Sequence, residues 1–127
     1  MINLIPTYKG KKILVTGHTG FKGAWLTLWL TEIGANVIGF SLERGEPENI
    51  FNLGKISNKI IHIEGDIRNK NSLKAAFKQY QPEIVFHLAA QAIVSESYKT
   101  PLETFETNIL GTVNVLDCIR ESNSVKI

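Results

Sequence analysis

Apolar residues fall into two alternating rhythms along this chain. The first is short and unbroken. Ile13, Leu14 and Val15 within KKILVTG, then Asn36–Phe40, Lys59–Ile63 (KIIHI) and Glu83–His87 (EIVFH), each form a brief run ending near small or polar residues. Such runs suit strands buried on both faces, as in a parallel sheet. The second rhythm has helical spacing. Between Gly20 and Ile33, the residues Phe21, Trp25, Leu28, Trp29 and Ile33 recur every three or four positions, predicting a helix that gathers them on one face and stops at Gly34. Asn71 or Ser72 is placed to cap a helix reaching Tyr80, with Pro82 blocking its extension. Thr100-Pro101 with Glu103 reads as a capping box with proline at the first helical position. From there Leu102, Phe105, Ile109, Val113, Leu116 and Ile119 carry a helix to about Glu121. Residues 41–58, polar and holding Gly45, Pro47 and Gly54, predict a loop with one short helix, and Val125-Lys126-Ile127 reads as the opening of a fifth strand. Strands and helices in this alternation predict an α/β fold, a doubly wound parallel sheet joined by right-handed crossovers. No repeat, low-complexity tract or linker interrupts the pattern, so residues 1–127 read as one domain.

Composition narrows the class without changing that picture. The 127 residues are 43% hydrophobic and 20% charged, in the ordinary globular range and long enough to bury a core. The net charge of +2 is spread out, whereas a nucleic-acid binder gathers its basic residues on one face. The longest apolar stretch, around Trp25 to Leu30, is far shorter than the roughly 20 residues of a membrane span. The positive charges of MINLIPTYKGKK follow its apolar piece, the reverse of a secretory signal. A single cysteine, Cys118, reads as a packed helix residue. His18, His62 and His87 lack ligand spacing, so no metal is expected. The expectation is a soluble cytoplasmic protein without nucleic-acid or membrane partners.

The most specific local feature is Gly17-His18-Thr19-Gly20-Phe21-Lys22-Gly23, lying between a predicted strand and a predicted helix. Gly17 permits a tight turn out of the strand, Gly20 lets a diphosphate approach the backbone, and Gly23 allows close packing of the helix, the roles of glycines in a Rossmann dinucleotide loop. The helix start adds free N–H groups and roughly half a positive charge. No lysine-serine or lysine-threonine pair closes the loop, so it is not a P-loop. Gly17, Thr19, Gly20, Phe21, Lys22 and Gly23 are therefore its candidate cofactor contacts.

The stretch ILVTGHTGFKG resembles the extended short-chain dehydrogenase/reductase family, the nucleotide-sugar epimerases and dehydratases. The longer VTGHTGFKGAWLTLWL is most similar to the branch that dehydrates CDP-glucose, and the resemblance runs from about Gly10 to the end. It implies NAD as cofactor, a nucleotide sugar such as CDP-glucose as substrate, and a homodimer through a helix pair, with 101–121 as a candidate face. It implies that Asp66 of Gly65-Asp66-Ile67-Arg68 accepts from the adenine amino group, with the Ile67 backbone against the ring. Leu88, Ala89 and Ala90 of HLAAQ would lie along ribose and diphosphate, and Asn108 of NILGT would brace the loop beneath. The family's acid at the end of the second strand, which binds the adenosine ribose, falls by spacing on Ser41, with Glu43 and Arg44 just beyond. Serine does not repel a 2′-phosphate and Arg44 attracts one, so NADP stays open beside NAD.

Family chemistry takes a hydride from sugar C4, eliminates water across C5 and C6, and returns the hydride at C6, with a Tyr-x-x-x-Lys pair as the base. That pair is expected after the fifth strand, beyond Ile127. Tyr8 and Lys12 show the spacing but precede the first strand. The 127-residue polypeptide is accordingly expected to be inactive by itself, a truncated piece of a dehydratase, weakly stable or self-associating at its open sheet edge. Trp25 and Trp29 are expected in the core, and Ser95 and Tyr98 face either substrate or solvent. A nucleotide-sugar 4-epimerase and a non-catalytic dinucleotide sensor are the alternatives.

Overall fold

The computed structural model describes residues 5–43 and 48–127. The elements follow in the order α1 (Ile5–Tyr8), β1 (Lys12–Thr16), α2 (Phe21–Glu32), β2 (Asn36–Ser41), α3 (Ile50–Leu53), a 3-10 turn (Ile56–Lys59), β3 (Ile61–Glu64), α4 (Lys70–Tyr80), β4 (Ile84–His87), α5 (Val94–Lys99), α6 (Pro101–Phe105), a π-helical turn (Glu106–Gly111) and α7 (Thr112–Glu121). The last three form one continuous helix. All strand pairs are parallel, in the order β3-β2-β1-β4, with Leu14 opposite both Ile38 and Val85. The chain thus builds outward from β1 to β3, then crosses back to place β4 on the other side of β1. This reversal opens a crevice at the carboxyl ends of β1 and β4.

Two apolar layers sandwich the sheet because neighbouring strand residues point to opposite faces. Leu14, Ile38 and Phe40 pack with Leu73, Phe77, Val115 and Cys118 from α4 and α7. Ile13, Val15 and Val37 pack with Leu30 of α2. Ala24, Phe51 and Ile56 form a satellite cluster under α3. Helix α2 ends as Gly34 predicts. Its φ is +86°, and the bonds Gly34 N–H to Thr31 O and Ala35 N–H to Leu30 O close a Schellman motif. Among the described residues, no helix is long and apolar enough to cross a membrane.

Several expectations are corrected. The tryptophans of α2 are not core. Trp25 is 53% and Trp29 42% exposed, with Phe21 more exposed still, while Gly23, Ala24, Thr27 and Leu30 form the buried face. At the start of the helix the buried residues are small because the glycine loop lies so close there, a Cβ at Gly23 falling 2.0 Å from Gly17 O, while Leu30 farther along packs on Ile13, Val15 and Val37. The cap of α4 is Asn69, not Asn71 or Ser72, its side chain accepting from Ser72 N–H at 3.1 Å. β3 starts two residues later than the apolar run, since Lys59 closes the 3-10 turn. Thr100 makes no cap; its hydroxyl donates to Glu96 O of α5, and Glu103 lies 3.5 Å from Arg68. Residues 125–127 take no strand of their own, yet Lys126 N–H donates to Glu83 O (2.7 Å) and Val85 N–H to Ile127 O (2.9 Å), beside β4.

Candidate functional site

The crevice between β1 and β4 is built from backbone. Gly17 leaves β1 with φ +74°, and a Cβ there would lie 2.7 Å from Ala89 N, so the β1 and β4 loops meet main chain to main chain. At Gly23 a Cβ would sit 2.0 Å from Gly17 O, which draws the first turn of α2 onto the loop. Gly20 is the N-cap, in extended conformation, and offers no side chain to the helix; no acid stands in the first turn. The N-terminal amides are thus left for an anion, at the positive end of a twelve-residue helix.

Gly17, Gly20, Ser41, Asp66, Ile67, Leu88, Ala89 and Ala90, all singled out in the sequence, line one cleft together. Gly65, which opens the Gly65-Asp66-Ile67-Arg68 motif, lines it too, as do Leu42 and Thr107, which nothing in the sequence marked. Thr19 is buried beside the cleft; its hydroxyl lies 2.8 Å from Ser41 Oγ and 3.1 Å from Leu42 O. Phe21 and Lys22 stand exposed at the start of α2. Arg44 lies outside the described residues. Asn108, on the π-helical turn, grips Gln91 from behind: its Oδ1 accepts from Gln91 N–H at 2.8 Å and its Nδ2 donates to Gln91 O at 3.0 Å. Gly111 permits this helix to approach, because a Cβ there would lie 2.5 Å from Ile67 Cδ1.

Asp66 is held by Arg68, whose Nε and Nη2 donate to its carboxylate at 2.8 and 2.6 Å. The Arg68 hydrogen bonds keep the Asp66 carboxyl below the usual carboxylate range, so it is ionised at neutral pH. His18 turns away from the cleft. Fully buried, it lies against Gly39, with Nε2 2.7 Å from His62 Nδ1 and Nδ1 without a hydrogen-bond partner among the described residues. Burial, and next the adjacent His62, lower its pKa to about 4. Tyr8 and Lys12 lie at the opposite, amino end of the sheet, where the Tyr8 ring meets Trp29 and Phe86.

A profile described as GDP-mannose 4,6 dehydratase matches residues 14–127. CDP-glucose 4,6-dehydratase of Salmonella typhimurium is 43% identical over 94% of this chain and 33% of its own length. A UDP-glucose 4-epimerase of Halalkalibacterium halodurans is 35% identical over 91% of this chain and 33% of its own. Among solved structures, the epimerase Mth375 of Methanothermobacter thermautotrophicus aligns with a TM-score of 0.83 at 35% identity, over 95% of this chain and 34% of that one. A Thermus thermophilus UDP-glucose 4-epimerase complex with NAD aligns at 0.76 and 30% identity, over 89% and 35%. The chain thus spans about a third of the length of the curated relatives it matches. Rossmann sheet, glycine loop and these relatives converge: the chain belongs to the GDP-mannose 4,6 dehydratase family, among the nucleotide-sugar epimerases and dehydratases of the extended short-chain dehydrogenases/reductases.

Proposed function

We propose that this chain supplies the NAD-binding part of a nucleotide-sugar 4,6-dehydratase acting on CDP-glucose. The carrying observation is the glycine-built cleft at the β1/β4 reversal, where the α2 amides carry no side-chain cap and the first turn of the helix holds no acid. A diphosphate fits there, because Gly20 keeps side-chain bulk out of the approach. Bound in this cleft, the dinucleotide supplies a reversible hydride acceptor for the sugar. The chain's own groups bind and orient it. Amides at the start of α2 meet the diphosphate, Ser41 meets the adenosine ribose, and Asp66 accepts from the adenine amino group beside the Ile67 backbone. Leu88, Ala89 and Ala90 pass closely along the ligand, and Asn108 holds the last of that loop in place through Gln91.

CDP-glucose is preferred because the relative acting on it is 43% identical here. The second reading, a 4-epimerase, draws on the Mth375 epimerase, which superimposes at a TM-score of 0.83. We assign the proton-transfer residues to the part of the relatives' length that this chain does not span; Tyr8 and Lys12 stand at the amino end of the sheet, away from the cleft. The exposed outer face of α6 to α7, with Leu102, Phe105, Ile109, Val113 and Leu116, is the face through which two copies pair.

The test uses the whole enzyme. Calorimetric titration with NAD is expected to give heat, with NADP binding more weakly. Incubation with CDP-glucose is expected to yield the 4-keto-6-deoxy sugar. A 4-epimer with no keto sugar would favour the second reading. Folded protein that gives no heat with either dinucleotide refutes both.

A further inference from the structure

His87 closes β4 directly beneath the loop that lines the cleft, and its ring spans two strands and a helix. Thr16 Oγ1 lies 2.7 Å from His87 Nδ1, and His87 Nε2 lies 3.0 Å from Thr112 Oγ1. The donor sense of this chain follows from its ends. The Thr16 oxygen accepts from Leu88 N–H at 3.2 Å and from Ala89 N–H at 3.3 Å, which leaves its own proton to be donated to Nδ1. Nδ1 is therefore bare and Nε2 carries the hydrogen, which goes to Thr112. The Thr112 hydroxyl in turn donates to Asn108 O at 2.7 Å. Every link runs one way, from β1 through β4 into the π-helical turn, and π-helical turns within helices are frequent at functional sites.

The two ends of this chain are the two loops that flank the cleft. Thr16 precedes Gly17, and Asn108 holds Gln91, the residue following Ala90. We propose that His87, as the neutral Nε2–H tautomer, is a positioning residue that sets the spacing between the Gly17 loop and the Leu88–Gln91 loop, and thereby the fit of the dinucleotide. This rests on the reading of the cleft as the cofactor site.

A doubly protonated ring breaks the arrangement. Nδ1–H then faces a hydroxyl whose proton has lost its acceptor, beside two amides that already use its oxygen. Burial favours the neutral ring, lowering the His87 pKa from the usual 6.5. The charges around it are engaged elsewhere. On the helix side, Glu103 and Glu106 face Arg68, Asp117 holds Lys70 and Arg120, and Glu121 holds Lys74. On the sheet side, Lys11 pairs with Glu83 at the far end of β4.

The test has two readouts on the whole protein. Nitrogen-15 NMR of the His87 ring is expected to show a proton on Nε2 and none on Nδ1; the reverse tautomer overturns the proposal, whether or not NAD binds. NAD titration from neutral pH downward is expected to show wild-type binding unchanged to about pH 6.5 and weakening only below it, because burial sets the titration of the folded ring lower than that. His87→Gln, with one donor, one acceptor and no titration, is expected to bind within about threefold of wild type and to lose the pH dependence. His87→Phe leaves both hydroxyls without their partner and is expected to bind roughly tenfold more weakly at every pH. Wild type, Gln and Phe variants that bind alike overturn the inference alone. A wild type that binds no NAD, with the ring proton on Nε2, sinks the cofactor reading and with it the role of His87.

Discussion

The cleft end of the sheet and the outer faces of its helices obey opposite rules. At the cleft, main chain meets main chain, and a single added carbon has nowhere to go: Gly17 abuts Ala89, and Gly23 abuts Gly17 O. On the outside of α2, by contrast, Trp25 and Trp29 stand half in solvent. The largest residues of that helix contribute little to the packing of this fold, and the smallest decide it. Residue size is therefore a poor guide to structural weight wherever a loop holds a helix at backbone distance.

Three experiments sharpen or break that contrast. The largest effect is expected from Gly23→Ala, with a loss on the order of 3 kcal/mol or more in urea unfolding, because the methyl group meets a backbone oxygen that cannot move aside. Gly17→Ala should follow closely, adding strain at φ +74° to its clash. A near-neutral result at both positions would erase the distinction between the two regions. Next in size is acid sensitivity at His18. Its pKa is near 4 when folded and 6.5 when unfolded, so the unfolded chain binds more protons in that window. Stability is fully present above pH 6.5 and declines as the pH falls toward 4, by as much as roughly 3 kcal/mol. Unfolding curves collected across that range, for wild type and His18→Gln, measure it; a wild-type curve as flat as the variant's would count against a buried neutral ring. The smallest effect is expected at Trp25→Ala, within about 1 kcal/mol, against roughly 3 kcal/mol for the fully buried Leu30→Ala on the same helix. Comparable losses at the two positions would mean that α2 packs on its large face after all.

The sequence made the architecture readable because strand and helix rhythms differ and the strands are short and unbroken. All four strands and the helices α2, α3, α4, α6 and α7 follow from it, with Gly34 stopping α2 by the mechanism its position implies, whereas α5, a short turn with no buried residue, has no apolar periodicity to announce it. Segments of the cleft were legible for the same reason: glycines and small residues at strand ends mark close approach. What stayed hidden depends on direction and distance. The periodicity of Phe21, Trp25 and Trp29 identifies a helical face without saying whether it turns inward. Asn71 and Ser72 read as caps by type, and the observed bond from Ser72 N–H to Asn69 puts the cap at a residue the pattern did not single out. Thr16, His87 and Thr112 are separated by 71 and 25 residues, so their hydrogen-bonded chain has no local signature. Thr107 comes to the cleft only because the long helix passes so near Ile67.

Gly39 sits in the middle of β2, where a strand ordinarily prefers a branched side chain. The His18 ring fills the space its absent side chain leaves, with ring atoms 2.3 to 2.6 Å from where a Cβ would stand. These two positions therefore cannot drift separately. A relative that carries a bulkier residue at 39 must carry a smaller one at 18, and a graft of this glycine loop into another Rossmann scaffold must bring the glycine of the second strand along with it.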